Sequence, residues 1–535
     1  MSKSQPYTVA CAGGLVTASN AIDLLKTPGV ATELRNFEVS TKGGYRRING
    51  FTKFGGGSAV QPTGGSTIIL GTIPYADGVV VCAGTSIYFS QTGTSWLEIN
   101  RASVASSGDN HTAFTGRSVL TRTNQAQCQF ALFESATSNY GTLIISDGVN
   151  KPYAFRMEGT GSLTSRTFFG EEITVTGTKG VEYITVHDKH LIAAGVEDNL
   201  NTVFFSGTLD PTDFTSTGSG SIALEDQIKG IKSFRNELFI FCENSIFKLQ
   251  NINNSNTIAV IPVTKNVGCL SGHSIQEIAG DLIFLAPDGL RTVAGTARIG
   301  DVELGTVSSN IQNIVSDLAE SVNIFTINSV VLREKSQYRL FYTNIGADDS
   351  TQRGIIGTLR PNGFEWSETR GLEVTAIGSG FDSSGIEQYY HGDTNGNVYL
   401  HDSGADFNGT NILARYTTPN YDYGDLGTLK TLHYLRVSMA TEGIVEPDVQ
   451  IKFDFNSSDV PQPTDLFDLG IINPPSLFGE AVFNTNKFAG QNNPMIRVPL
   501  QGSGTSNNFT VISNDTKPSY TVNGLYVDFI PSGRR

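Results

Sequence analysis

Apolar residues in this chain come in short runs separated by polar turns, not at helical intervals. Ile68-Ile69-Leu70 is followed by Gly78-Val79-Val80-Val81-Cys82-Ala83-Gly84 and then by Ile87-Tyr88-Phe89. The same plan of an apolar strand, a tight polar turn and a second strand ending in an aromatic returns six times. It recurs in the stretches 142–155, 191–205, 238–247, 282–290, 338–366 and 389–400. Counted by first strands, roughly seven units lie between about residues 68 and 402, about 45–50 residues apart, a spacing that suits propeller blades. The pattern predicts an all-β chain with a β-propeller-like body at 58–410, whose radial blades leave only short protected edges. Two or three packed sandwiches are the competing architecture at this turn spacing.

From Asn411 the texture changes. Lys430 to Val437 and the alternating Val449-Gln450-Ile451-Lys452-Phe453-Asp454-Phe455 read as strands, as do Phe509–Ile512 and Leu525–Ile530. They predict a C-terminal β-sandwich-like domain at 411–535, with long loops between Asn456 and Asn493. One helix is expected where Ser308-Ser309-Asn310 can cap it and Ile311, Ile314, Val315 and Leu318 form a stripe. A shorter helical turn is expected from Ala21 to Lys26, before Pro28-Gly29. At the other end, residues 1–57 read as an N-terminal arm and hairpin. Its strands run through Phe37 and Tyr45-Arg46-Arg47-Ile48, and the reversal at Gly43-Gly44 calls for positive φ at Gly44.

A formal charge of −14 and only 16% charged residues describe a compact acidic protein, opposite to the footprint of a phosphate-gripping one. Five widely spaced cysteines, never in C-x-x-C, read as reduced and buried. The N-terminus carries no apolar stretch of signal-peptide length, and the longest apolar run, Val79 to Ala83, cannot span a bilayer, so no stable membrane insertion is expected.

Candidate chemistry is sparse. His187-Asp188-Lys189-His190 sits beside a strand where alternation is expected to turn the two histidines apart, and His391 with His401 offers no H-E-x-x-H. Asp393-Thr394-Asn395-Gly396-Asn397 starts like a calcium loop but continues wrongly, and is read as an Asn-Gly turn. Ser90 to Trp96 resembles the Asp-box turn of sialidase-like propellers without its Asp. Neither G-x-S-x-G nor G-x-x-x-x-G-K-[ST] occurs, and no carboxylate pair stands out for glycosidase work. The sequence therefore nominates no catalytic, cofactor-binding or metal residues, no cofactor and no enzyme activity.

One stretch carries a resemblance. Gly13-Gly14-Leu15, the run Asp23-Leu24-Leu25-Lys26 with Pro28-Gly29, and Ala31-Thr32-Glu33-Leu34-Arg35-Asn36-Phe37-Glu38 come first. With Gly43-Gly44-Tyr45-Arg46-Arg47-Ile48-Asn49-Gly50, they resemble the opening of tail nozzle or tail-hub proteins of short-tailed, podovirus-like bacteriophages. The likeness is strongest over about the first fifty residues and returns in the last strands. It implies a structural virion protein of the tail, made in the host cytoplasm, forming the distal nozzle as a homo-oligomeric ring of six. Its expected partners are the tail adaptor protein and tail fibres, with genomic DNA passing through the channel without specific binding. Ser40 to Gly50 and the C-terminal edges are expected to need a neighbouring subunit for burial. The rival reading is a propeller-type glycan-binding or glycan-cleaving protein.

Overall fold

The computed structural model describes residues 4–62, 66–99, 126–134, 140–163, 166–177, 180–254, 256–294, 306–322, 326–343, 352–382, 384–459, 461–470, 472 and 495–534. Among them, six small antiparallel sheets stand as blades of a β-propeller. Five lie at 69–98, 129–172, 181–223, 228–264 and 276–292, and the sixth spans 376–401. A further sector between the last two is filled by the four strands of 326–370, which belong to a nine-stranded sheet. Later inner strands begin at 181, 228, 276, 326 and 376, a step of about 50 residues. This is the expected propeller.

The middle strands explain why the pattern was so regular. Gly78–Ala83, His190–Val196, Glu237–Cys242 and Asp281–Ala286 are buried on both faces between neighbouring blades, so they read as continuous apolar runs. The apolar core is accordingly divided into clusters that each join two adjacent blades, such as the one uniting Leu70, Val80 and Phe89 with Leu143, Phe155 and Phe168.

The chain closes the ring with its own beginning. Phe51–Lys53 pairs antiparallel with Val398–His401 as the outer strand of the last blade. Glu33–Arg35 enters the nine-stranded sheet between Gly363–Arg370, to which it is parallel, and Ile412–Thr417, to which it is antiparallel. Through that strand the 326–370 sector runs on into Ile412–Thr417, Asn507–Asp515, Asp448–Phe453 and Phe467–Asp468.

A second, seven-stranded sheet is built on the long pair Thr428–Thr441 and Tyr520–Arg534, with Gln5–Ala10 and the hairpin Phe37–Val39/Tyr45–Arg47 added to it. The two sheets share one core, in which Phe37, Tyr45 and Tyr520 meet Tyr416, Val449 and Val511. That is the sandwich-like C-terminal body, completed by N-terminal strands. Most of the loop region expected between Asn456 and Asn493 lies outside the described residues.

Two expectations are corrected here. Ser40–Gly50 was expected to need a neighbouring subunit, yet Phe37, Tyr45 and Arg47 on its hairpin are fully buried within their own chain because Thr521 and Val522 pair with it. The helix forms as Gln312–Glu320 with Ile311, Val315 and Leu318 buried, but no side chain caps it. The Ser308 hydroxyl instead accepts a hydrogen bond from the Leu290 N–H at 3.0 Å. Asp23–Lys26 forms the expected short turn as a 3-10 helix. All five cysteines are buried and none is in a disulfide.

Candidate functional site

The N-terminal stretch that carries the resemblance is where the propeller and the sandwich are joined, and its residue types follow from that task. Asn36 has φ of +54°, a conformation Asn tolerates, and its amide stands in for a peptide group between two strands. Its Nδ2 donates to the carbonyls of Arg370 (3.0 Å) and Leu413 (2.9 Å), while its Oδ1 accepts from the Arg370 N–H at 2.9 Å. The Tyr45 hydroxyl donates to the Gly29 carbonyl (2.8 Å) and accepts from the Gly14 N–H (3.1 Å). Arg47, fully buried, donates to the carbonyls of Lys517, Ile412 and Asp515 and pairs with the Asp515 carboxylate at 3.1 Å. A Cβ on Gly50 would lie 1.7 Å from the Asp406 carbonyl oxygen, so only glycine fits.

Beside this joint lies an ionic cluster, buried at Glu38, Arg339 and Asp402 and exposed at Glu442. Arg339 reaches Glu38 at 2.9 Å and Asp402 at 3.0 Å, and Lys335 reaches the same two acids at 3.1 and 2.6 Å. Arg46 contacts Glu38 at 2.8 Å and grips Glu442 through two nitrogens, at 2.6 and 2.7 Å. Three acids thus face three cations drawn from the hairpin, the 326–370 sector, the last blade and the sandwich. Burial works to raise the Asp402 carboxyl, but Arg339 and Lys335 outweigh it and hold the group well below the usual carboxylate range. A closed, balanced network of this kind fixes geometry and offers no free nucleophile or base.

The histidines extend it. An Arg339 N–H can only donate, so His401 accepts at Nε2 (3.0 Å), carries its proton on Nδ1 and donates it to Nδ1 of His391 at 3.3 Å. The Nε2–H of His391 is then left buried without an acceptor. Burial pushes His391 down to about 3, and burial followed by the neighbouring His391 and Arg339 pushes His401 far below its ordinary value. Both rings are neutral packing elements, with Phe51 edge-on to His391 at 4.9 Å.

The other sequence candidates are structural too. His187 and His190 were expected to point apart, but Asp188-Lys189 is a two-residue turn with positive φ at both positions. The chain reverses there, so the histidines are cross-strand partners on one face. They still bind different groups: His187 Nδ1 meets the Ser233 hydroxyl (2.9 Å), and His190 meets the Ser206 carbonyl (2.5 Å) and Asn253 Oδ1 (2.8 Å). In the 393–397 turn, Asp393 accepts from the N–H groups of Asn395 and Asn397, from the Asn397 amide and from the Tyr399 hydroxyl. Its carboxylate is therefore occupied by the chain's own donors, and Gly396 has φ of +80° as an Asn-Gly turn requires. The Ser90 hydroxyl accepts from the Gly93 N–H and donates to the Ser95 carbonyl, closing the Asp-box-like turn on itself. Among the described residues, no group of three or more His, Cys, Asp and Glu side chains could hold a metal ion. Likewise, no helix among them is long and apolar enough to cross a membrane.

The propeller axis is obstructed. The Gln127 amide, from the second blade, donates to the Ile327 carbonyl (3.0 Å) and to Asn328 Oδ1 (3.2 Å) on the inner strand of the 326–370 sector. Polar inner-strand residues such as Lys232, Gln276 and Ser329 line the narrow cavity of about 260 Å³ along the axis.

The ionic cluster was not legible as a unit, because its members are spread along the chain from Glu38 to Glu442. A signal was present in part: Glu38 lies between buried Phe37 and Val39, and Gln337 and Arg339 alternate with Tyr338 and Leu340 on one strand.

No family model matches the chain, and no curated protein matches it. Among solved structures, the exo-β-1,3-galactanase of Phanerochaete chrysosporium aligns at 9% identity over 89% of this chain and 100% of its own, with a TM-score of 0.26. PorZ, a surface component of the type-IX secretion system of Porphyromonas gingivalis, aligns at 9% identity over 83% of this chain and 60% of its own, with a TM-score of 0.38. The extracellular domain of the one-component system BT4673 from B. thetaiotaomicron aligns at 9% over 69% and 45%, with a TM-score of 0.34. None is a phage tail protein by its name, and no activity passes to this chain at such similarity.

Proposed function

We propose that this chain is a structural, non-enzymatic subunit of a short-tailed phage virion, the distal tail nozzle, assembling as a ring that extends the DNA channel, anchors tail components and releases the genome. One observation supports the reading above others. Asn36, Glu38, Tyr45, Arg46, Arg47 and Gly50, the residues that carry the resemblance, are all engaged in binding together strands from distant parts of the chain. A catalytic motif keeps a reactive group free for substrate, whereas these six residues engage theirs in contacts within the chain. It makes the propeller and sandwich one interlocked body, as a part that carries load during genome exit needs to be.

The obstructed propeller axis bears on the route. DNA cannot thread a cavity spanned by Gln127, so the channel of the proposed nozzle lies between subunits, around the symmetry axis of the ring. A charge of −14 on each copy disfavours adhesion of phosphates to its wall. Reconstruction of the virion with this protein labelled tests the proposal. A ring at the distal end of the tail is expected; isolated copies on the capsid, or a ring channel lined mainly by Lys and Arg, overturns it.

A further inference from the structure

A cavity of about 460 Å³ lies between Glu33–Arg35, the helix Gln312–Glu320 and the strands Arg353–Arg360 and Gly363–Arg370. Six charged side chains line it, and their pairing is unequal. Glu33 is held by Arg415 at 3.2 Å and by the Thr417 hydroxyl at 3.1 Å, and Glu368 is held by Arg370 at 3.0 Å. The remaining three are Arg35, Arg353 and Asp317. Neither Arg35 nor Arg353 has an ion pair among the described residues, although Arg353 donates to the Tyr342 hydroxyl and Arg35 feels the charges of Glu33 and Glu368.

We propose that this cavity is a binding site for an oxyanion, a phosphate or a carboxylate, held by the guanidinium groups of Arg35 and Arg353. The site stands independently of the nozzle reading. A guanidinium that lines a cavity without a carboxylate at ion-pair distance has N–H donors to offer to an acceptor. Guanidinium forks match the two-oxygen edge of phosphate and carboxylate, and charge-assisted bonds of this type are the strong ones. Burial first, and then the like charge of Arg370, depresses the Arg35 guanidinium, while Glu33 and Glu368 only partly offset this. An anion removes that conflict. Such a site also runs against the overall −14 of the chain.

The test is calorimetric titration of the full chain with inorganic phosphate at constant ionic strength, with sedimentation velocity on the same samples. Uptake of one phosphate per chain is expected, and Arg353→Gln is expected to weaken it by about tenfold to a hundredfold, the worth of one charge-assisted hydrogen bond. Arg353 is the position to change first, because Arg35 lies in the strand that joins the two bodies; Arg35→Lys, which keeps the charge and loses the fork, is the second variant. Phosphate uptake at unchanged mass identifies a free oxyanion as the occupant. Uptake with a fall in mass identifies a carboxylate of a second copy that phosphate displaces. No uptake at about 10 mM phosphate, the weak limit of useful affinity, overturns the proposal. So does Arg353→Gln binding phosphate as the native chain does.

Discussion

Gly43 and Gly44 form a matched pair that separates backbone strain from collision. Both have positive φ, +99° and +81°, and they are adjacent in one turn. A Cβ at Gly43 meets nothing within 4 Å. At Gly44 it lies 2.6 Å from the Val522 carbonyl oxygen and 2.9 Å from both Asn523 Oδ1 and Thr521 Cγ2. Gly43→Ala therefore bears only the left-handed backbone cost, about 1 kcal/mol. Gly44→Ala bears the same cost and must also push the hairpin away from Tyr520–Arg534, to which it is held at only two register positions, Arg46 to Thr521 and Tyr45 to Val522. Overpacking against backbone costs about 1–3 kcal/mol, so Gly44→Ala is expected to lose about 2–4 kcal/mol in all, and Gly44→Val more. Thermal and urea melts of the two alanine variants beside the native chain measure the difference. If both variants melt together, the close approach of the hairpin to the 521–523 segment is refuted, whatever the turn geometry.

Three more outcomes follow from the same contacts. Glu38→Gln removes a buried charge from Arg339, Lys335 and Arg46 together, and urea denaturation is expected to show a loss of about 3–5 kcal/mol; a loss below about 1 kcal/mol shows the cluster to be hydrated. His391 takes up its proton near pH 3 when folded and near pH 6.5 when unfolded, so its contribution is complete above pH 6.5 and declines as the pH falls toward 3. At pH 4 this amounts to roughly 3 kcal/mol, and His391→Gln is expected to flatten the stability curve between pH 6.5 and 4, a slope that calorimetry at stepped pH reads directly. Finally, the purified chain is expected to release no sugar from polysaccharide or peptidoglycan; reducing-sugar release that disappears on changing one carboxylate contradicts the structural reading.

The blades were legible in the sequence because their middle strands are buried on both faces and pair with neighbours a few residues away. Glu237–Cys242 pairs with Ile228–Phe234 and Ile246–Gln250, and an apolar run next to a tight turn announces that arrangement locally. Inner strands were fainter. Ile228–Phe234 carries Lys232 and Thr326–Leu332 carries Asn328 and Ser329, since one end of each faces the polar axis. The hairpin and the positive φ of Gly44 were readable from glycine chemistry alone. Its destination was not. The partners of Glu33–Arg35 are residues 368 and 415–417, and those of Phe51–Lys53 are 399–401, and pairing across such separations leaves no periodic trace in either segment. The cavity was invisible for the same reason: Arg35 and Arg353 are far apart in sequence and line one cavity only because Glu33–Arg35 lies beside Gly363–Arg370.

That interlocking explains the residue choices in the first fifty positions better than a free arm does. Were the Glu33–Arg35 strand absent, Gly363–Arg370 and Ile412–Thr417 would face each other as two unpaired edges, and the last blade would lose the outer strand Phe51–Lys53. Exposed edges are what large β proteins must avoid, and here one N-terminal segment covers four, since Gln5–Ala10 also borders Tyr520–Arg534. Such a segment cannot consist of interchangeable strand residues, because each crossing demands its own chemistry. Asn36 serves as a surrogate peptide, Gly44 and Gly50 permit close backbone approach, Arg47 satisfies three carbonyls, and Glu38 neutralises cations from a neighbouring sheet. The stretch is therefore dense in specific polar residues for structural reasons, each set by the strand crossing it has to satisfy.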